Sequence, residues 1–139
     1  MASEPVVVYD TTLRDGTQGE EITFTAEEKL VIAQRLDDVG VHYIEGGWPG
    51  SNPRDIHFFE MASRTRFKTA RITAFGATRR PKIHPHDDHN LQMLLDAQTE
   101  VVTIFGKTWD LHVRRVMNNT LVENLAMIAD SVAYLKAHD

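Results

Sequence analysis

Short apolar runs and helix-period stripes alternate along this chain. Val6-Val7-Val8-Tyr9 is a β-branched run that drops into polar residues, the pattern of a buried strand. Thr25-Ala26-Glu27-Glu28 is a capping box. Ile32, Leu36 and Val39 fall on one face of the helix it opens, at i, i+4 and i+7, and Gly40 stops it. Val41 to Glu45 predicts a second strand, ending in Gly46-Gly47. After the turn WPGSNP, Ser51 or Asn52 caps a helix with Pro53 at its first position, running to about Ser63. Ala70 to Phe75 predicts a third strand, TRRPKIHPHDDH a polar loop, and Asp88 to Ala97 a helix with Leu91, Leu94 and Leu95 apolar. Val101 to Phe105 predicts a fourth strand closed by Gly106, and Trp109 to Met117 a short helix. Thr120-Leu121-Val122-Glu123 repeats the capping box. The helix it opens carries Leu121, Leu125, Ile128, Val132 and Leu135 as one apolar stripe, expected to face the sheet.

The predicted order is β-α-β-α-β-α-β-α, with strand starts about thirty residues apart, the length of a βαβ unit. Such alternation implies a parallel α/β sheet whose strands all end on one rim. Polar residues collect on that rim: Arg14, Asp15 and Gln18 after the first strand, Glu45 at the end of the second, Thr78 and Arg79 after the third, Lys107 and Asp110 after the fourth. Sites of parallel α/β folds lie there.

Composition narrows the classes. The chain has 139 residues, 42% hydrophobic and 25% charged, which suits one globular domain. A net charge of −5 without a basic run argues against nucleic acid as the main partner. There is no cysteine, hence no disulfide, thiolate nucleophile or cysteine zinc site. No signal-peptide pattern and no apolar run near the roughly 18 residues of a membrane span occurs, so no membrane partner is expected and a cytoplasmic location is. Neither a G-x-G-x-x-G fingerprint, a P-loop nor a serine nucleophile elbow is present. The histidines of H-P-H-D-D-H at 84 to 89 fit no standard metal spacing. A solvated loop with Asp87 or Asp88 as helix cap is the better reading. Trp109 and His112 are read as packing between helices.

The stretch YDTTLRDGTQ at 9 to 18 closely resembles the signature of the metal-dependent Claisen-condensing and lyase TIM barrels. This family includes 2-isopropylmalate, homocitrate and citramalate synthases and 3-hydroxy-3-methylglutaryl-CoA lyase. YIEGGWPGSNPRD at 43 to 55 resembles the family's second-strand motif. GWPGSNP, FGKTWDLHV at 105 to 113 and TLVENLAMIADSVAYLK at 120 to 136 are most similar to the citramalate synthase branch. The family barrel has eight βα units, about 250 residues. The resemblance therefore implies the N-terminal half of a (β/α)8 TIM barrel, with residues 1–139 a truncated catalytic domain lacking the family's later His-x-His metal ligands.

The resemblance also implies a chemistry. An acyltransferase would condense acetyl-CoA with a 2-keto acid, pyruvate to citramalate being favoured over the 2-isopropylmalate and homocitrate reactions, in branched-chain amino-acid biosynthesis. A divalent metal (Mg, Mn or Zn) would polarise the keto carbonyl, with Asp15 as carboxylate ligand. Arg14 would stabilise the oxygen that becomes negative, and Gly16 would make the turn that points both inward cheap. Glu45 is expected in the site's hydrogen bonds and proton transfer, with a structural salt bridge to Arg14 as the alternative. Gln18 is expected near the substrate, or else bonded to backbone. Thr78 and Arg79 are candidates for a substrate carboxylate or the phosphates of coenzyme A. A homodimer is the expected assembly. The reading from a different class is an inert half-barrel, whose two open sheet edges would pair with another chain.

Overall fold

The computed structural model of the protein describes residues 5–138. Four strands form one sheet: β1 (Tyr9–Asp10), β2 (Tyr43–Gly47), β3 (Arg71–Ala77) and β4 (Val101–Phe105). They run parallel in the order β1-β2-β3-β4. Each is followed by a helix: α1 (Ala26–Asp38), α2 (Pro53–Ala62), α3 (His89–Asp96) and α4 (Leu121–Lys136). Among the described residues no helix is long and apolar enough to cross a membrane.

The helix starts are set by side chains taking orphan backbone donors. Thr25 Oγ1 accepts from Glu28 N at 3.1 Å while the Glu28 carboxylate accepts from Thr25 N at 2.8 Å, a complete capping box. Asn52 accepts from Arg54 N at 3.1 Å, with Pro53 behind it. Of the two aspartates before α3, Asp88 is the cap. It accepts from Leu91 N at 3.1 Å and from Arg80 N at 2.8 Å, so it also ties down the loop after β3. Thr120 caps α4, but Glu123 does not close the box, because its carboxylate accepts from Arg79 and Lys82 instead.

The core lies between the sheet and α1 to α3, with Leu13, Ile44, Phe58, Ala74, Leu91 and Leu94 fully buried. Four expectations are corrected here. Only Tyr9 and Asp10 of the first apolar run join the ladder, and Val6 is 82% exposed, because β1 is an edge strand. In α1 the buried line is Ala26, Lys29, Ala33 and Asp37, flanked by half-buried Ile32 and Leu36, while Val39 is exposed. In α4 the buried line is Asn124, Met127 and Ser131, and the apolar stripe beside it stands largely in solvent, Leu125 being 66% exposed. Trp109 is exposed as well rather than packed between helices, with its ring against His112 at 4.6 Å.

The buried charges of α1 have built partners. Asp37 accepts the N–H groups of Lys68, Thr69 and Ala70 at 2.7, 2.8 and 2.7 Å, fixing the entry to β3. Burial pushes its carboxyl up, but those three donors outweigh the effect and hold it below the usual carboxylate range.

Candidate functional site

After β1 the chain enters a tight helical turn. The Thr11 carbonyl accepts the N–H groups of Arg14, Asp15 and Gly16 at 3.2, 2.8 and 3.1 Å. Gly16 is not needed for it: its φ is not positive, and a Cβ there would meet Thr12 at an ordinary 3.7 Å. The turn, not the glycine, puts Arg14 and Asp15 side by side.

Arg14 then bridges two carboxylates. Its Nη1 donates to Asp15 Oδ1 at 2.7 Å and its Nε to Glu45 Oε2 at 2.9 Å. The Glu45 side chain is 2% exposed and that of Asp15 is 61% exposed, so one anion is buried and the other open. The other oxygen of Glu45 accepts from the Tyr9 hydroxyl at 3.1 Å, and that hydroxyl also bonds Thr103 Oγ1 at 2.7 Å. Burial, chiefly, with the nearby Glu45 charge, raises the Tyr9 phenol above its ordinary value, so it stays a neutral donor at physiological pH. The result is one hydrogen-bonded chain, Thr103–Tyr9–Glu45–Arg14–Asp15, that links β4, β1, β2 and the turn after β1.

Aromatic rings floor this mouth. The Arg14 guanidinium carbon lies 4.0 Å from the Phe75 ring centroid. Phe75 stacks on Phe105 at 5.5 Å, and Trp48 stands edge-on to both at 5.6 and 5.9 Å. Trp48 is pinned at both ends: its indole N–H donates to Asn90 Oδ1 and its backbone N–H to Asp55 Oδ2, each at 2.8 Å. Beneath it, Lys29, 3% exposed, pairs with Asp55 and donates to the Gly46 carbonyl at 3.1 Å. The glycine pair permits this approach. A Cβ on Gly46 would overlap Phe58, and one on Gly47 would overlap the Asp55 carboxylate.

Arg14, Asp15 and Glu45 are therefore brought together, and the other candidates lie apart from them. Gln18 is exposed in the 3-10 turn Gly16–Gln18, its backbone N–H donating to the Asp15 carbonyl at 3.0 Å. Thr78 is buried, its N–H donating to Phe105 O at 3.1 Å. Arg79 is buried and faces α4, where Nε and Nη2 donate to Asp130 at 3.0 and 2.7 Å and Nη1 to Glu123 at 2.8 Å. His84 and His86 stack at 5.7 Å, and among the described residues no group of three potential ligands is placed to hold a metal.

Sequence reasoning missed Tyr9, Thr103, Trp48 and the Lys29–Asp55 pair as parts of the mouth. One signal was available. Lys29 and Asp37 share the helical face of Ala26 and Ala33, and a charge on a small-residue face calls for a fixed partner. Asp15 suits a hard divalent cation as a single oxygen ligand. It is open, and its Oδ2 accepts no hydrogen bond among the described residues.

Comparison with known proteins gives the chain a family and a fold. Residues 6–139 match the HMGL-like family. The chain is 56% identical to an (R)-citramalate synthase of Geobacter sulfurreducens, over 96% of this chain and 25% of that protein. It is 54% identical to one of Aquifex aeolicus, over 98% and 26%. The chain thus spans about a quarter of the length of the curated relatives it matches. A hydroxymethylglutaryl-CoA lyase structure from Pseudomonas aeruginosa superposes with a TM-score of 0.68 at 19% identity, covering 96% of this chain and 43% of that one. The four βα units have the fold of half a (β/α)8 barrel. The chain belongs to the HMGL-like family.

Proposed function

We propose, from membership of the HMGL-like family and the geometry of the mouth, that this chain is the first four units of a longer acyltransferase of the citramalate synthase type. The reaction is condensation of acetyl-CoA with a small 2-keto acid, pyruvate in the first instance, followed by thioester hydrolysis. The observation that carries this reading is the Glu45–Arg14–Asp15 array at the ends of parallel strands, buried at Glu45 and open at Asp15, in a chain 56% identical to an (R)-citramalate synthase.

Asp15 is assigned as one ligand of a divalent cation, whose chemistry when bound is to polarise the keto carbonyl. Arg14 is assigned to the oxygen that gains charge. Its Nη2 donates to nothing among the described residues, while Glu45 and Asp15 fix the plane of the fork, so donors are in place before charge develops. Glu45 holds Arg14 and takes a proton-bearing partner in Tyr9, the arrangement expected of a group that orients the site and takes part in proton transfer. Gln18, exposed beside Asp15, is assigned to the substrate side. Arg79 is assigned to it through the loop that it holds on α4 by way of Ser131 and Asp130, with Thr78 beside it in that loop. A homodimer in the cytoplasm, a reducing compartment that suits a chain with no cysteine, completes the reading.

The test uses the full-length gene product with acetyl-CoA and magnesium or manganese. Pyruvate should release coenzyme A thiol and yield citramalate, faster than 2-ketoisovalerate is consumed. No thiol release with any 2-keto acid overturns the reading. The 139 residues alone should bind the cation weakly and form no citramalate.

A further inference from the structure

We propose that Lys107 is a second anion-binding residue of the mouth, holding a carboxylate or phosphate of a substrate at the end of the aromatic strip away from Arg14. The inference rests on the reaction proposed above and adds a residue that the signature motif does not contain. Four side chains form a row along the rim. The Arg14 guanidinium lies 4.0 Å from the Phe75 centroid, Phe75 and Phe105 stack at 5.5 Å with 11° between their planes, and Lys107 Nζ lies 5.2 Å from the Phe105 centroid. The strip is uncharged in its middle, walled by Trp48 and cationic at both ends. The face of an aromatic ring holds an ammonium without neutralising it.

Lys107 differs from the lysines whose charge is already matched. Lys68 meets Asp38 at 2.6 Å, and Lys29 meets Asp55. Lys107 is half-buried, yet among the described residues its Nζ has no carboxylate within 4.0 Å. Its backbone is fixed: its carbonyl accepts from Asn124 Nδ2 at 2.9 Å, and a Cβ on the preceding Gly106 would lie 2.8 Å from Ile128. Arg14 is matched by Asp15 and Glu45, so Lys107 is the cation of the strip left without a carboxylate partner among the described residues.

In the full-length gene product, Lys107→Met keeps the aliphatic stem and removes the charge. It should raise the KM of one co-substrate about tenfold or more, the size of a lost charge-assisted contact. Lys107→Arg should recover most of that loss, with kcat changed less than about threefold. A rise for the keto acid identifies a carboxylate, and a rise for acetyl-CoA identifies a phosphate. Unchanged KM values for both overturn the inference. A second readout does not need turnover. In protein with 13C-methylated lysines, the Lys107 signal, assigned by its loss in Lys107→Arg, should shift on titration with pyruvate alone or coenzyme A alone. A shift in protein that condenses no keto acid keeps Lys107 as an anion site and removes the proposed reaction. A signal that moves with neither ligand removes Lys107 from the site whatever the turnover.

Discussion

Beneath β2, in the middle of the sheet, α1 buries Lys29 and Asp37, whereas at the two edges Val6, Val7, Leu125 and Val132 stand in solvent. This is the reverse of what residue type alone dictates. The difference teaches that position in the sheet outranks hydropathy. In the middle, each charge meets a partner that the fold has already placed: Asp55 and the Gly46 carbonyl for Lys29, three backbone N–H groups for Asp37. At the edges, apolar side chains have no neighbouring strand or helix to cover them. The catalytic candidates sit where the two regimes meet, between edge strand β1 and central β2.

The strongest way to break the comparison is in the middle. Lys29→Met leaves Asp55 buried without its cation, and we predict a loss of about 3–5 kcal/mol in urea unfolding. Adding Asp55→Leu should recover much of that loss. If Lys29→Met alone is neutral, the pair is not what fixes the turn carrying Trp48. At the junction, Arg14→Lys in the full-length protein keeps the charge and loses the planar fork. Its kcat should fall about 100-fold, while circular dichroism stays unchanged.

Smaller effects sharpen the contrast. Asp37→Asn should cost about 1–3 kcal/mol, since all three backbone donors lose an anionic acceptor and at least one is left facing an amide NH2. The sign with pH follows from its depressed carboxyl. The unfolded chain takes up the proton first, so the stability Asp37 contributes is complete above the ordinary value of 3.8 and is lost as pH falls through the lower folded value. Acid titration of unfolding free energy should show the wild-type slope below pH 3.8 flattened in Asp37→Asn. At the edge, Leu125→Ala should change the 139-residue chain by less than about 0.5 kcal/mol. In the full-length protein, where further units are proposed to cover it, the same change should cost about 2 kcal/mol or more. Equal costs in the two would remove the proposed half-barrel division. The smallest effect belongs to Gly16→Ala, within about 0.5 kcal/mol, because no positive φ is required there.

The fold was legible because each helix start carries its own signal. Thr25, Asn52, Asp88 and Thr120 all cap as their spacing predicts. The faces were less legible. Ile32, Leu36 and Val39 make an apolar line, yet Ala26 and Ala33 allow the closest approach to the sheet, and small side chains leave a weaker periodic signal than large ones. The α4 stripe misled for the same reason that Val6 to Val8 did: periodicity shows which face seeks cover, not whether cover is present. Arg14, Asp15 and Glu45 came from a contiguous motif and one strand end. Thr103 did not, and the parts played by Tyr9, which stands in the motif, and by Lys107, which stands on the rim, were not legible, because they exist only once four strands lie side by side.

The Tyr9 hydroxyl meets Thr103 across 94 positions of sequence. A ribosome must therefore extrude β4 before the Tyr9 hydroxyl gains its second partner, and until then that hydroxyl is hydrogen-bonded to Glu45 alone. Pausing the chain short of residue 103 and then releasing it would start a clock on the maturation of the mouth, with β4 as the last of these four strands to arrive.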